Sequence, residues 1–117
     1  MSITLIADKG IRKFVKSYAK KNSDLREPSV AKDQCYVISR DFVYKARETF
    51  RHSDTRFAVV PVGRRQPYRS YCCTREGHYA VVIDDGKSQI RVDFTARQFD
   101  KKLPFPLIVW ERHSQRN

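Results

Sequence analysis

The spacing of the apolar residues changes once along this chain, and that change constrains the fold more than any other feature. Between residues 8 and 51 apolar side chains recur at intervals of three and four, the period of a helix with one buried face. Between residues 56 and 110 they alternate or form short runs, as in β-strands. Helices followed by consecutive strands predict an α+β fold, with N-terminal helices packed on an antiparallel sheet of about four to five strands.

Two helices are predicted in the N-terminal part of the chain. The first covers 8–21, with Asp8 as its N-cap, and its apolar stripe consists of Ile11, Phe14, Val15, Tyr18 and Ala19. Residues 22–33 are polar, include Pro28 and are predicted to form a loop. The second helix covers about 34–51, with Asp33 as its N-cap, which places Cys35 in its first turn.

The remaining residues predict strands joined by short turns. The predicted strands are 56–62, 68–73, 78–83, 89–95 and 103–110. Asp84-Asp85-Gly86 is typical of a hairpin turn, residues 63–67 also form a turn, and 96–101 form a helical turn. We expect a single domain over 1–117, divided into a helix and loop (1–33), a catalytic-like core (34–110) and a polar tail (111–117).

The charge of the chain is strongly positive. It has 24 Lys and Arg residues against 13 Asp and Glu, a net charge of +11. Such a charge favours an anionic partner: nucleic acid, an acidic membrane surface or an acidic protein. No apolar run approaches the roughly 20 residues that span a bilayer, and no signal peptide is predicted.

The cysteines indicate free thiols. They are Cys35, Cys72 and Cys73, an odd number with two adjacent members, which suits a reducing compartment better than a disulfide framework. No Cys-x-x-Cys pair is present and the histidines are scattered. We therefore predict neither a metal site nor another cofactor.

Three residues have the chemistry of a cysteine-based catalytic site. The first turn of a helix stabilises a thiolate, which favours Cys35 as a nucleophile. His78 opens one predicted strand and Asp93 lies on the next, and the hairpin between them brings the two strands together. We expect a contact from Asp93 to Nδ1 of His78, which would leave His78 to exchange a proton with Cys35.

The segments around these residues, DQCYVIS, GHYAVV and VDFTARQF, resemble the papain-like and transglutaminase-like superfamily. The last segment resembles the ending of papain-fold toxin domains in bacterial polymorphic and contact-dependent inhibition systems. The resemblance covers roughly residues 33–110 and implies a papain-like core. It implies Cys35 as nucleophile, His78 as general base and acid, and Asp93 as the group that orients His78. The implied reaction is peptide cleavage, side-chain deamidation or transglutamination.

The resemblance also carries expectations about the oxyanion hole and the partners. Papain has a glutamine several residues before its cysteine, whereas Gln34 here directly precedes Cys35. The expected donors are therefore the Cys35 backbone N–H and Gln98, with Gln34 as a further orienting candidate. An antibacterial toxin would pair with an acidic immunity protein and act in the cytoplasm of a bacterial cell. The chain would then be the C-terminal part of a larger secreted protein.

Two other functions fit the basic charge. One is a toxin ribonuclease that uses His78 with Arg91, Thr95 or Tyr79. Its phosphate contacts would come from the basic face of the first helix together with Arg64, Arg65, Arg69 and Arg75. The other is a non-enzymatic module that binds nucleic acid or an acidic protein. In that case Cys35 would be a core residue, as cysteines on apolar helix faces commonly are.

Overall fold

The computed structural model describes residues 2–62 and 77–116 of the chain. Its helices are α1 (Lys9–Lys21), α2 (Pro28–Ala31) and α3 (Cys35–Thr49). Its strands within the described residues are β1 (Arg56–Pro61), β2 (Tyr79–Asp84), β3 (Ser88–Asp93) and β4 (Leu107–His113). These strands form one antiparallel sheet of order β1-β2-β3-β4, which confirms the predicted α+β class. None of the described helices combines the length and the apolar surface needed to cross a bilayer.

Helix α1 forms as the apolar stripe predicts. Asp8 caps it, since its Oδ1 accepts a hydrogen bond of 2.9 Å from the backbone N–H of Ile11. The buried side of the helix consists of Ile11, Val15, Tyr18 and Ala19. This side packs towards the sheet, and the charged side chains face solvent.

The connection before α3 differs from the prediction. Residues 22–33 are not an open loop, because they contain a 3-10 turn (Ser23–Arg26) and the short helix α2. Asp33 is not the N-cap of α3. It has a φ of 63°, in the left-handed region, and Gln34 occupies the N-cap position. The left-handed residue lets the chain turn out of α2 and enter α3 across the three residues 32–34.

The sheet follows the predicted strands except at its C-terminal end. The hairpin between β2 and β3 is present, and Asp84 Oδ1 accepts a hydrogen bond of 2.9 Å from Gly86 N. Strand β4 begins at Leu107 and continues to His113, so the predicted strand 103–110 and the polar tail 111–117 were misplaced. Backbone pairing with β3 extends this strand through polar residues that show no apolar alternation. The predicted turn 63–67 and strand 68–73 lie outside the described residues.

The sheet has apolar side chains on both faces. The face towards the helices packs into a core with an aromatic centre, where Tyr18, Phe42 and Phe94 contact one another. A smaller cluster on the other face consists of Val62, Ala80, Ala96 and Leu107. Val92 and Phe94 belong to the helix-side core, so Asp93 between them points towards the other face.

Candidate active site

His78 and Asp93 form a buried pair. His78 Nε2 lies 2.5 Å from Asp93 Oδ2, and the two residues are only 3% and 2% exposed. The structure therefore brings together the two residues that the hairpin placed near each other. The predicted ring atom was wrong, because Asp93 contacts Nε2 and not Nδ1.

The strand register explains how this pair forms. Val81 lies opposite Val92, and continuing that register places Ala80 opposite Asp93. His78 is two residues further out on the same face, so its contact with Asp93 is diagonal. Diagonal neighbours in an antiparallel pair are within reach of long side chains. The methyl side chain of Ala80 is small enough to leave the imidazole a path across the strand.

Hydrogen bonds to the second carboxylate oxygen of Asp93 fix its orientation. Its Oδ1 accepts hydrogen bonds from Thr95 N at 2.8 Å and from Thr95 Oγ1 at 3.2 Å. Gln98 Nε2 in turn donates to Thr95 Oγ1 at 3.2 Å. Thr95 occupies Oδ1 and thereby directs Oδ2 at His78. Sequence reasoning considered Thr95 only for a ribonuclease, although its two-residue spacing from Asp93 is typical of this kind of turn.

Cys35 completes the arrangement from the helix layer. It is the first residue of α3 and is half-buried. Its sulfur is within hydrogen-bonding reach of the His78 ring and of the backbone of Tyr79. Since Nε2 of His78 is engaged by Asp93, a proton exchange with the thiol would use the other ring nitrogen, Nδ1. The three sequence-predicted residues thus form one connected line.

The electrostatics of the site favour a charged pair. Burial opposes ionisation of Cys35, but hydrogen bonds from His78 and from the Tyr79 backbone outweigh it and lower the pKa of the thiol. Burial likewise disfavours protonated His78, but its hydrogen bonds with Asp93 and Cys35 raise its pKa to about 9. Both shifts favour a thiolate beside an imidazolium over the neutral pair, and this charged pair is the form in which a cysteine is most nucleophilic.

The thiol opens into a cleft of about 350 Å³. Its lining residues are Asp33, Cys35, Tyr36, Gly77, His78, Tyr79, Gln98 and Phe99. The Phe99 ring lies edge-on to the His78 ring, with centroids 4.7 Å apart, and covers one side of it. A larger groove of about 760 Å³ runs between α3 and β1, but it shares only Tyr36 with this cleft and reaches neither Cys35 nor His78.

The other sequence-predicted residues fall into three groups. Gln98 lines the cleft, whereas Gln34 is the N-cap residue of α3 and is absent from the cleft lining. Arg91, proposed for a ribonuclease, is 3% exposed and its Nε lies 2.6 Å from Glu111 Oε1, so its charge is used within the sheet. The remaining predicted residues lie outside the described residues: Arg64, Arg65, Arg69 and Arg75.

Two further findings bear on the class of site. Within residues 2–62 and 77–116, no group of three or more His, Cys, Asp or Glu side chains is arranged to hold a metal ion. No protein-family model matches the chain, and no curated protein or solved structure matches it significantly. The function has therefore to be inferred from the residues and geometry of the site itself.

Proposed function

We propose that this chain is a cysteine-dependent acyl-transfer enzyme that acts on amide bonds. The observation that carries the proposal is the line from the Cys35 thiol through His78 to Asp93, in which the pKa of the thiol is lowered and that of the imidazole is raised to about 9. A cysteine that only fills a core needs no proton acceptor and no buried carboxylate behind it. The alternative ribonuclease is less well supported, since Arg91 is already paired with Glu111.

The proposed reaction proceeds in two steps. In the first step the Cys35 thiolate attacks the carbonyl carbon of the amide and forms a C–S bond, while the carbonyl π electrons move to oxygen. The C–N bond then breaks, and the departing nitrogen takes the proton of His78. In the second step water or an amine attacks the thioester and gives its proton to His78. The C–S bond breaks and the Cys35 thiolate is restored.

Each neighbouring residue has a role in this scheme. Asp93 stabilises the imidazolium and fixes the orientation of the ring, and Thr95 fixes Asp93. Backbone N–H groups in the first turn of a helix have no intrahelical acceptor, so the N–H of Cys35 is a suitable donor to the developing oxyanion. Gln98, which lines the same cleft, is the second proposed donor.

We infer a papain-like core and a bacterial toxin or effector role for this chemistry. The supporting observation is the order of the three segments that carry Cys35, His78 and Asp93, together with their meeting at one cleft. The enzyme would act in the cytoplasm of a bacterial cell and be neutralised by an acidic immunity protein, which the net charge of +11 would attract. Whether the acceptor is water or an amine decides between peptidase, deamidase and transglutaminase activity.

The decisive experiment compares thiol reactivity and toxicity. Iodoacetamide should alkylate Cys35 at near-neutral pH at least about tenfold faster than Cys72 or Cys73, because only a thiolate is nucleophilic. Expression of the wild type inside bacteria should arrest growth, and Cys35→Ala should relieve the arrest. The matched control is Cys72→Ser/Cys73→Ser, which should remain toxic. Equal alkylation of the three cysteines, or full toxicity of Cys35→Ala, would contradict the proposal.

A further inference from the structure

Helix α1 carries a straight row of lysines on its exposed side. Lys9, Lys13, Lys16 and Lys20, here called the lysine stripe, are spaced by four, three and four residues and are all exposed. In a helix of 3.6 residues per turn this spacing aligns them on one narrow face. At 1.5 Å of rise per residue, the stripe is about 16 Å long. The opposite face of α1 is buried in the core.

The stripe is electrostatically unfavourable for the isolated fold. Helix α1 contains no acidic residue, and within the described residues none of its basic side chains forms an ion pair. Like charges three or four residues apart destabilise a helix, and cations near its N-terminus oppose the helix dipole. Helix α3 of the same chain is different, because Asp41 pairs with Lys45 at 3.1 Å and Glu48 with Arg51 at 3.8 Å.

We propose that the lysine stripe binds the phosphate backbone of a nucleic acid without reading its bases. Duplex DNA carries one phosphate per about 1.7 Å of its helix axis when both strands are counted, so a row of lysines about 16 Å long can contact several phosphates at once. Lysines arranged as independent point charges suit this sequence-independent binding, which depends on the release of counterions. This inference does not depend on the thiol chemistry of the cleft.

Other anionic partners fit the stripe less well. Interface cores between proteins are depleted in lysine and enriched in aromatic residues and arginine, and neither aromatic residue of α1 is exposed, since Phe14 is half-buried and Tyr18 is buried. A helix that inserts into a membrane surface needs a free apolar face. The apolar face of α1 is occupied, since Ile11 and Val15 are 1% and 0% exposed.

The test measures salt-dependent binding by fluorescence anisotropy. The probes are labelled RNA, single-stranded DNA and duplex DNA. The stripe variant is Lys9→Gln/Lys13→Gln/Lys16→Gln/Lys20→Gln. The control variant, Lys32→Gln/Lys87→Gln/Lys101→Gln/Lys102→Gln, loses the same charge from four exposed lysines elsewhere. Each lost phosphate contact reduces the magnitude of the slope of log K against log salt by about 0.7–0.9. The slope of the stripe variant should therefore be smaller in magnitude by about three, and its affinity should be lower by at least about tenfold. The control variant should keep most of the salt slope and most of the affinity of the wild type.

Folding and specificity controls complete the test. The stripe variant should unfold at the same temperature as the wild type or higher, because it loses like-charge repulsion. The four Lys→Arg substitutions at the stripe should preserve binding. If the stripe variant misfolds, Lys13→Gln/Lys16→Gln should still lose about half of the slope difference. The proposal is wrong if the wild type binds none of the probes, if both glutamine variants lose binding equally, or if polyglutamate or anionic vesicles bind the stripe as tightly as RNA.

Discussion

Thr95 is a buried side chain that can influence the proposed nucleophile Cys35 without touching it. It is 1% exposed, and both its backbone N–H and its hydroxyl donate to the same oxygen of Asp93. A carboxylate held by one oxygen presents the other in a fixed direction, here towards His78. Supporting contacts of this kind hold the reactive groups of a site in their productive geometry. Thr95 is therefore a positioning residue, three hydrogen bonds away from the sulfur.

We expect Thr95→Val to slow the alkylation of Cys35 several-fold at near-neutral pH. The substitution keeps the shape of the side chain but removes one donor to Asp93 and the acceptor of Gln98, at a cost of about 1 kcal/mol in stability. A less firmly held Asp93 stabilises the imidazolium less, so less of Cys35 is thiolate. The measurement is the rate of iodoacetamide labelling by mass spectrometry. Thr95→Ser keeps the hydroxyl and should restore the rate, whereas equal rates in Val and Ser variants would exclude this role.

At the scale of elements, the site depends on the register between β2 and β3. The diagonal from His78 to Asp93 passes the position of Ala80, which is 0% exposed. A larger side chain at that position would occupy the space between the imidazole and the carboxylate. Ala80 is also paired on its other side, where Val60 of β1 lies opposite it.

We expect Ala80→Val to separate His78 from Asp93 and to abolish the selective labelling of Cys35. Overpacking at a buried alanine also costs about 1–3 kcal/mol of stability, so a matched control is required. Ala46→Val is that control, because Ala46 is equally buried in α3 but lies away from the cleft. Both variants should lose stability in urea titrations, and only Ala80→Val should lose thiol reactivity. Equal loss of reactivity in both would show that overall stability, and not the diagonal contact, governs Cys35.

The sequence predicted those elements whose signals are local. The stripe of α1 and its Asp8 cap, the start of α3 at Cys35, and the 84–86 hairpin were each visible over a few residues. Helix α2 was missed because its four residues are too few to show a helical period. The end of β4 was missed because pairing with β3, and not apolar alternation, extends it to His113.

The candidate site likewise has a part that the sequence could predict and a part that it could not. The proximity of His78 and Asp93 follows from the hairpin, since counting outward from its turn fixes the pairing to within two residues. The choice of Nε2 could not be predicted, because it depends on the diagonal offset and on the direction from which Cys35 approaches. The contact between Cys35 and β2 is a tertiary contact between two layers, which no local pattern specifies.

At the scale of the whole molecule, the thiol and imidazole make stability depend on pH in opposite directions. Unfolded His78 loses its proton near 6.5, whereas its folded pKa is about 9. Its stabilising contribution is therefore complete below about 6.5 and is lost as pH rises towards 9. Folding lowers the pKa of Cys35, so its contribution is present above its ordinary pKa and is lost as pH falls through the folded value. In the wild type the two slopes partly cancel.

We expect Cys35→Ala to make this cancellation visible. The variant keeps His78 beside Asp93 but loses the opposing thiol, so its free energy of unfolding should fall more steeply than that of the wild type above pH 6.5. The slope of a single proton is at most about 1.4 kcal/mol per pH unit. Urea unfolding between pH 6 and 9 measures the pH dependence of the free energy of unfolding. The control is Cys35→Ala/His78→Gln, which should lose this pH dependence. Parallel curves for the wild type and Cys35→Ala would contradict the proposed ion pair.

The position of Cys35 on the helix layer, with His78 and Tyr79 on the sheet, links chemistry to the order of folding. The contacts that lower the pKa of the thiol come from residues distant in sequence, and loop closure must bring them together. In an unfolded chain Cys35 is thus an ordinary, protonated thiol at neutral pH. Under the proposed function it would become a nucleophile only when α3 docks on β2. A newly made or partly unfolded chain would then be unable to attack its surroundings, and reactivity at Cys35 would mark molecules that have completed this docking.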